Sequence, residues 1–297
     1  MFPHAMVLWM ATSAACTSQA LTDQIKAAAR PARGKVGVSA RVLETNQFTA
    51  FHGGRSFPMQ SVYKLPIAIA VLHRIEESKL QLDQGVKVEP EDLIPAAGHS
   101  PLRDKHPKGG EFTLEELLRR SIVDSDGSAS DVLLRLLGGP REVRRYLKQA
   151  EVKQIHVVHT EAQLIDTTHA QYADSAKPDA MVELLGRLQE GKLLNEGNTQ
   201  RLLGWMKETA TGRERLRAKL PAGTIVADKT GSSGTYDGLT PATNDVGLIT
   251  LPNGHHLAVA IFLSDSKAGV TTRNAMIANM ARELWDCWAD TGAESQP

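Results

Sequence analysis

What most limits the fold of this chain is the placement of its strand-like and helix-like stretches. Alternation of apolar and polar residues marks a half-buried strand. It occurs early, from Lys35 to Leu43, with a return from Gln47 to His52 across Glu44-Thr45-Asn46. It occurs again late, at Thr224 to Lys229, Val246 to Leu251 and His256 to Ser264, the last two joined by Pro252-Asn253-Gly254. Between these ends the apolar residues recur at helical spacing. Val62, Leu65, Ile69, Leu72 and Ile75 form one such face, with Pro66 expected to bend the helix near its start. Thr113-Leu-Glu-Glu116 is a capping box opening a second helix, and Ser128 to Leu137 runs into the stop signal Gly138-Gly139-Pro140. Helices are also expected at Pro178 to Leu188, Thr199 to Thr209 and Thr271 to Trp288. Strands separated by so much helix can share a sheet only if the two chain ends meet. The expected class is α/β plus all-α, an antiparallel sheet flanked by terminal helices. Residues 21–58 and 212–290 build that domain, and an all-helical domain, 59–211, is inserted into it. Within the insertion, 159–177 has no clear period and reads as a long loop.

Lys and Arg total 34 and so do Asp and Glu, so nothing in the charge balance favours nucleic acid, and a small-molecule partner is expected. The apolar run Ala5 to Cys16 is too short to span a bilayer, and Ser18-Gln19-Ala20 offers small residues for cleavage. Residues 1–20 are therefore read as a signal peptide, although no Lys or Arg precedes the run, and a secreted or periplasmic location follows. No later stretch is long and apolar enough for a membrane span. The two cysteines are Cys16 and Cys287; loss of 1–20 would leave Cys287 alone, as a packing residue. His255-His256 sits beside a turn with no ligand spacing around it, so no metal is expected.

Three short motifs carry chemistry, in this order: Ser61-Val-Tyr-Lys64, Ser125-Asp-Gly127 and Lys229-Thr-Gly231. In the first, positions i and i+3 of a helix share a face, so Lys64 can take the Ser61 proton. Alone the pattern is weak, since about one S-x-x-K arises by chance in such a chain. Ser264-Asp-Ser-Lys267 is a second match. Lys229-Thr-Gly ends a strand, where glycine lets a ligand approach the backbone.

These three motifs in this order resemble those of the penicillin-recognising serine enzymes. Leu220-Pro-Ala-Gly223, Thr243-Asn-Asp245 and Glu161-Ala-Gln-Leu164 extend the resemblance to class A serine β-lactamases over about residues 21–288. Glu161-Ala-Gln, Thr209-Ala-Thr-Gly-Arg-Glu-Arg-Leu216 and Lys229-Thr-Gly-Ser-Ser-Gly234 resemble the extended-spectrum, PER-like branch most. The resemblance implies a serine β-lactamase/penicillin-binding-protein-like fold, no cofactor, a β-lactam substrate and a monomer. It also implies roles. Ser61 resembles the nucleophile, Lys64 its proton relay, Ser125 the shuttle to the leaving nitrogen, and Glu161 the base that activates the deacylating water. Whether Lys64 or Glu161 takes the first proton stays open. Lys229 and Thr230 resemble the clamp for the substrate carboxylate. The backbone N–H groups of Ser61 and Ser232, one residue past Gly231, resemble the oxyanion hole.

The departures are equally specific. Gly127 stands where the family has an asparagine that binds substrate, either lacking only that contact or needed for its backbone. A Gly127→Asn change is expected to gain activity if only the contact is missing. Ile165 stands where the family holds water with an asparagine, and His159 replaces an arginine, with Asp174 as its candidate partner. His99 falls where a residue flanking the site is expected, and is read either as lining the entrance or as an exposed loop histidine. Two rival functions remain, a D,D-peptidase or penicillin-binding protein, and a non-catalytic β-lactam-binding homologue.

Overall fold

The computed structural model describes residues 17–166 and 170–289. The described chain opens with helix α1 (Ser18–Ala29), whose cap Thr17 accepts from the Ala20 amide at 3.2 Å. Residues 18–20, assigned above to a signal peptide, thus form the first turn of a helix anchored by buried Leu21 and Ile25. The rest of that assignment, including Cys16, lies outside the described residues.

Strands β1 (Lys35–Val42) and β2 (Phe48–Phe51) form the expected early hairpin, with Asn46 left-handed in the turn. Two-residue β3 (Phe57–Pro58) leads into a 3-10 turn, Gln60–Tyr63, and then α2 (Lys64–Glu76). Pro66 falls in the first turn of α2, where a missing N–H breaks no helical hydrogen bond. A ribbon of β4 (Gly85–Val88) and β5 (Gly110–Thr113) encloses the short α3 (Pro101–Lys105). Next come α4 (Leu114–Val123), α5 (Gly127–Leu137) and α6 (Pro140–Gln149). The Thr113/Glu116 capping box forms, and Gly138 closes α5 at φ 93°. After β6 (Ile155–His156), the aperiodic segment holds one short helix, α7 (Glu161–Asp166), before β7 (Ser175–Ala176). Helices α8 (Pro178–Gln189) and α9 (Glu196–Lys207) follow, then β8 (Val226–Ser232), β9 (Thr240–Thr250), β10 (His256–Ser266) and the closing α10 (Val270–Trp288).

The main sheet is antiparallel with order β2-β1-β10-β9-β8, so the first strands pair with the last, as inferred. Its two faces explain the composition of β10. Leu257, Val259, Ile261 and Leu263 pack under α1 and α10, whereas Ala258, Ala260 and Phe262 face the helical layer. A strand covered on both sides reads as a continuous apolar run. The helical segment is not separately cored, because its cluster is continuous with Ala227, Val246 and Leu248 of the sheet.

Cys287 is buried on α10 among the apolar residues packed beneath the sheet.

Candidate active site

Four separate elements meet along one edge of the helical layer. The 3-10 turn presents Ser61, and the first residue of α2 presents Lys64, whose Nζ donates to Ser61 Oγ at 2.8 Å. The same ammonium donates to Glu161 Oε2 at 2.5 Å. Lys64 is fully buried, and an unpaired buried ammonium would be costly, so these two acceptors hold it in place. On the other side Lys229, at the buried end of β8, donates to Ser125 Oγ at 2.9 Å and to the Thr230 carbonyl at 3.1 Å. Burial, and then the charge of Lys64, push the Lys229 pKa down to about 7.

Each side chain is placed by local chemistry. Ser125 has φ 57°, a conformation uncommon outside glycine, at the turn between α4 and α5. Asp126 pins that turn by accepting from Ala129 N at 2.9 Å, Leu102 N at 2.6 Å and Ser100 Oγ at 3.0 Å. The Ser61 turn is tied to the sheet by Asn244, whose amide donates to the Pro58 and Met59 carbonyls at 2.8 and 3.0 Å. Gly231 is required by proximity, since a Cβ there would lie 2.3 Å from the Met59 carbonyl oxygen. Thr230 Oγ1 lies 2.6 Å from Thr211 Oγ1. Ser61, His99, Glu161, Ile165 and Ser232 line one cleft of about 240 Å³ with Gln60, Gln171 and Tyr236. His99 is exposed on the cleft rim, its Nε2 2.9 Å from the Asp124 carbonyl.

The arrangement is a nucleophile with a lysine beside it, a carboxylate on that lysine and a second lysine–serine pair across the cleft. That is the equipment for acyl transfer. The beta-lactamase enzyme family model matches residues 20–288. The chain is 36% identical over 282 residues to the extended-spectrum beta-lactamase PER-1 of Pseudomonas aeruginosa, covering 94% of this chain and 91% of that protein. It is 35% identical over 268 residues to beta-lactamase VEB-1 of the same species, covering 90% and 89%. The chain belongs to the beta-lactamase enzyme family. Among solved structures, the TLA-1 extended-spectrum enzyme matches with TM-score 0.89 at 36% identity, over 92% of this chain and 99% of its own. A beta-lactamase from Chitinophaga pinensis DSM 2588 gives 0.88 at 40%, over 90% and 98%. The fold and family expected from the motifs are thus borne out, in the class A branch.

Several residues of this beta-lactamase site were not singled out by their motifs. Asp131 on α5 accepts from the Glu161 and Ala162 amides at 2.6 and 3.0 Å, capping α7 from a neighbouring helix. Burial raises its pKa to about 6, against the pull of those two donors. Arg215, buried behind β8, donates to Ser232 Oγ at 2.6 Å and to the Asn244 carbonyl at 2.8 Å. It lies inside the stretch Thr209 to Leu216 quoted for the branch resemblance, yet its contacts are not legible there. The Tyr63 hydroxyl donates to Glu161 Oε2 at 2.6 Å. Burial pushes the Glu161 pKa up, but the Lys64 charge and the hydrogen bonds from Lys64 and Tyr63 hold it below the usual carboxylate value. The proposed His159–Asp174 pair forms, with Nδ1 2.7 Å from Oδ1, and Asp174 also accepts from Val158 N at 3.1 Å.

Gly127 requires a correction. Its φ is not positive, so no backbone conformation demands glycine. Space does: a Cβ would lie 2.7 Å from Glu161 Cγ, 2.5 Å from Ile94 Cδ1 and 3.1 Å from the His99 carbonyl oxygen. The backbone explanation offered by the sequence does not hold, and this crowding opposes the expected gain from Gly127→Asn.

Proposed function

We propose that the chain hydrolyses the β-lactam amide of penicillins and cephalosporins through an acyl-enzyme on Ser61. The observation that carries this reading is Lys64 Nζ bridging Ser61 Oγ and Glu161 Oε2. Ser61 Oγ attacks the lactam carbonyl while its proton leaves by way of Lys64. The carbonyl oxygen is received by the Ser61 and Ser232 amides, where one lost donor costs about 10²–10³ in rate. Ser125, held by Lys229, delivers a proton to the departing nitrogen. Lys229 and Thr230 receive the substrate carboxylate, and Ser232, oriented by Arg215, completes that wall. Glu161 then takes a proton from water, which attacks the ester carbon and releases Ser61. Glu161 beside Lys64 favours turnover over a stable penicilloyl adduct. Export to the periplasm and action as a monomer accompany this reading; among the described residues no helix is long and apolar enough to cross a membrane.

A nitrocefin assay on purified protein tests it. Steady turnover is expected; a stoichiometric burst would indicate a peptidase or sensor, and no signal a non-catalytic homologue. Glu161→Ala is expected to acylate and then stall, so that intact-protein mass spectrometry after brief benzylpenicillin exposure shows the added mass. Undiminished turnover by that variant would overturn the role of Glu161.

A further inference from the structure

The third residue of the Ser61-Val-Tyr-Lys64 motif carries a hydroxyl that the mechanism above does not use. Tyr63 is fully buried, and its ring lies 5.0 Å from Lys64 Nζ. A buried phenol needs a partner, and this one donates to Glu161 Oε2 at 2.6 Å. Lys64 donates to the same oxygen at 2.5 Å. Both side-chain donors on the Glu161 carboxylate among the described residues therefore fall on Oε2, and Oε1 is left to act. The backbone of Glu161 is fixed independently by Asp131, so the residue is held at its amide as well as at Oε2.

We propose that Tyr63 is a positioning residue for deacylation: its hydroxyl fixes the Glu161 carboxylate by one oxygen and turns the other to the attacking water. This rests on Glu161 acting as the deacylating base. The water's proton passes to Oε1 as its oxygen bonds to the acyl carbon. Collapse then breaks the carbon–Oγ ester bond, and a proton returns to Ser61. Tyr63 exchanges no proton in this sequence; burial and the neighbouring Glu161 charge keep its own pKa well above 10.

The groups facing this pair are few. Lys64 on α2, Lys229 on β8 and Asp131 on α5 act on Glu161 or its backbone; Asp131 and Asp174, the latter paired with His159, act on Tyr63. All of these remain in Tyr63→Phe, which removes one oxygen and leaves the ring to pack.

The test is single-turnover kinetics of wild type and Tyr63→Phe across pH, with acylation and deacylation resolved by stopped flow. Acylation is expected within about twofold of wild type. Deacylation at neutral pH should slow by about tenfold, the worth of one hydrogen bond to a charged group. The acid limb of deacylation should move to higher pH, because a donor to the charged form has been lost. An unmoved acid limb, or equal slowing of both steps, would overturn the proposal and leave Tyr63 a packing residue. Glu161→Ala run in parallel separates the two levels: if it fails to trap the acyl-enzyme, the reading of Glu161 has failed instead.

Discussion

Consider adding one carbon at Gly127. A Cβ built there lies 2.7 Å from Glu161 Cγ, whereas ordinary contact begins near 3.4 Å, so about 0.7 Å must be found. Ile94 Cδ1, at 2.5 Å, is the end of a flexible side chain and can rotate away. The His99 carbonyl, at 3.1 Å, cannot, because it accepts the Gly127 amide at 3.0 Å. The shift therefore falls on Glu161, whose Oε2 sits in two bonds of 2.5 and 2.6 Å. Overpacking of this kind costs roughly 1–3 kcal/mol of stability. A displacement approaching 1 Å at a catalytic group costs up to about 10²-fold in rate. For Gly127→Ala we predict a 10- to 100-fold fall in deacylation, acylation reduced much less, and a lower melting temperature. Gly127→Asn, which adds an amide to the same Cβ, should be no better. The assays are thermal melting and pre-steady-state nitrocefin hydrolysis with detection of the acyl-enzyme by mass. Wild-type kcat and melting temperature in Gly127→Ala would refute the packing argument, and a gain by Gly127→Asn on acylamino β-lactams would restore the missing-contact account.

Two further predictions follow from the same geometry. Ser61→Ala should abolish turnover while leaving the melting temperature near wild type, and a chelator should leave the native enzyme unaffected; inhibition by EDTA, or hydrolysis by the variant, would remove the serine mechanism. Asp131→Asn should change the pH dependence of stability. With a folded pKa of about 6 against 3.8, Asp131 favours the fold at low pH and that benefit is lost as pH rises through about 6. Wild type should therefore lose about 2 kcal/mol relative to the variant between pH 4 and pH 7. Denaturation midpoints at the two pH values check this, and a difference that does not vary with pH would contradict it.

The chain order of strands and helices, the hairpin at Asn46, the stop at Gly138 and the motifs whose residues Ser61, Lys64, Ser125, Glu161 and Lys229 meet in pairs were all legible in the sequence. Each rests on local rules of periodicity, capping or motif spacing, which act within a few residues of chain. The sequence also indicated the His159–Asp174 pair as a substitution within one loop. The start of β9 at Thr240 was not legible, nor was the extension of β8 to Ser232, because their polar residues are paid for by distant partners. Asn244 bonds to Pro58 and Met59, and Arg215 bonds to Ser232. Glycine at 127 looked like a missing side chain or a backbone requirement; only the approach of α7 to α5 shows that the space is already filled by Glu161. Tyr63 and Asp131 likewise acquire meaning from Glu161, 98 and 30 positions along the chain. Local sequence chose the elements and the reactive groups. Which oxygen meets which donor was decided by tertiary packing, because hydrogen bonds and steric overlap depend on distances that sequence separation does not encode.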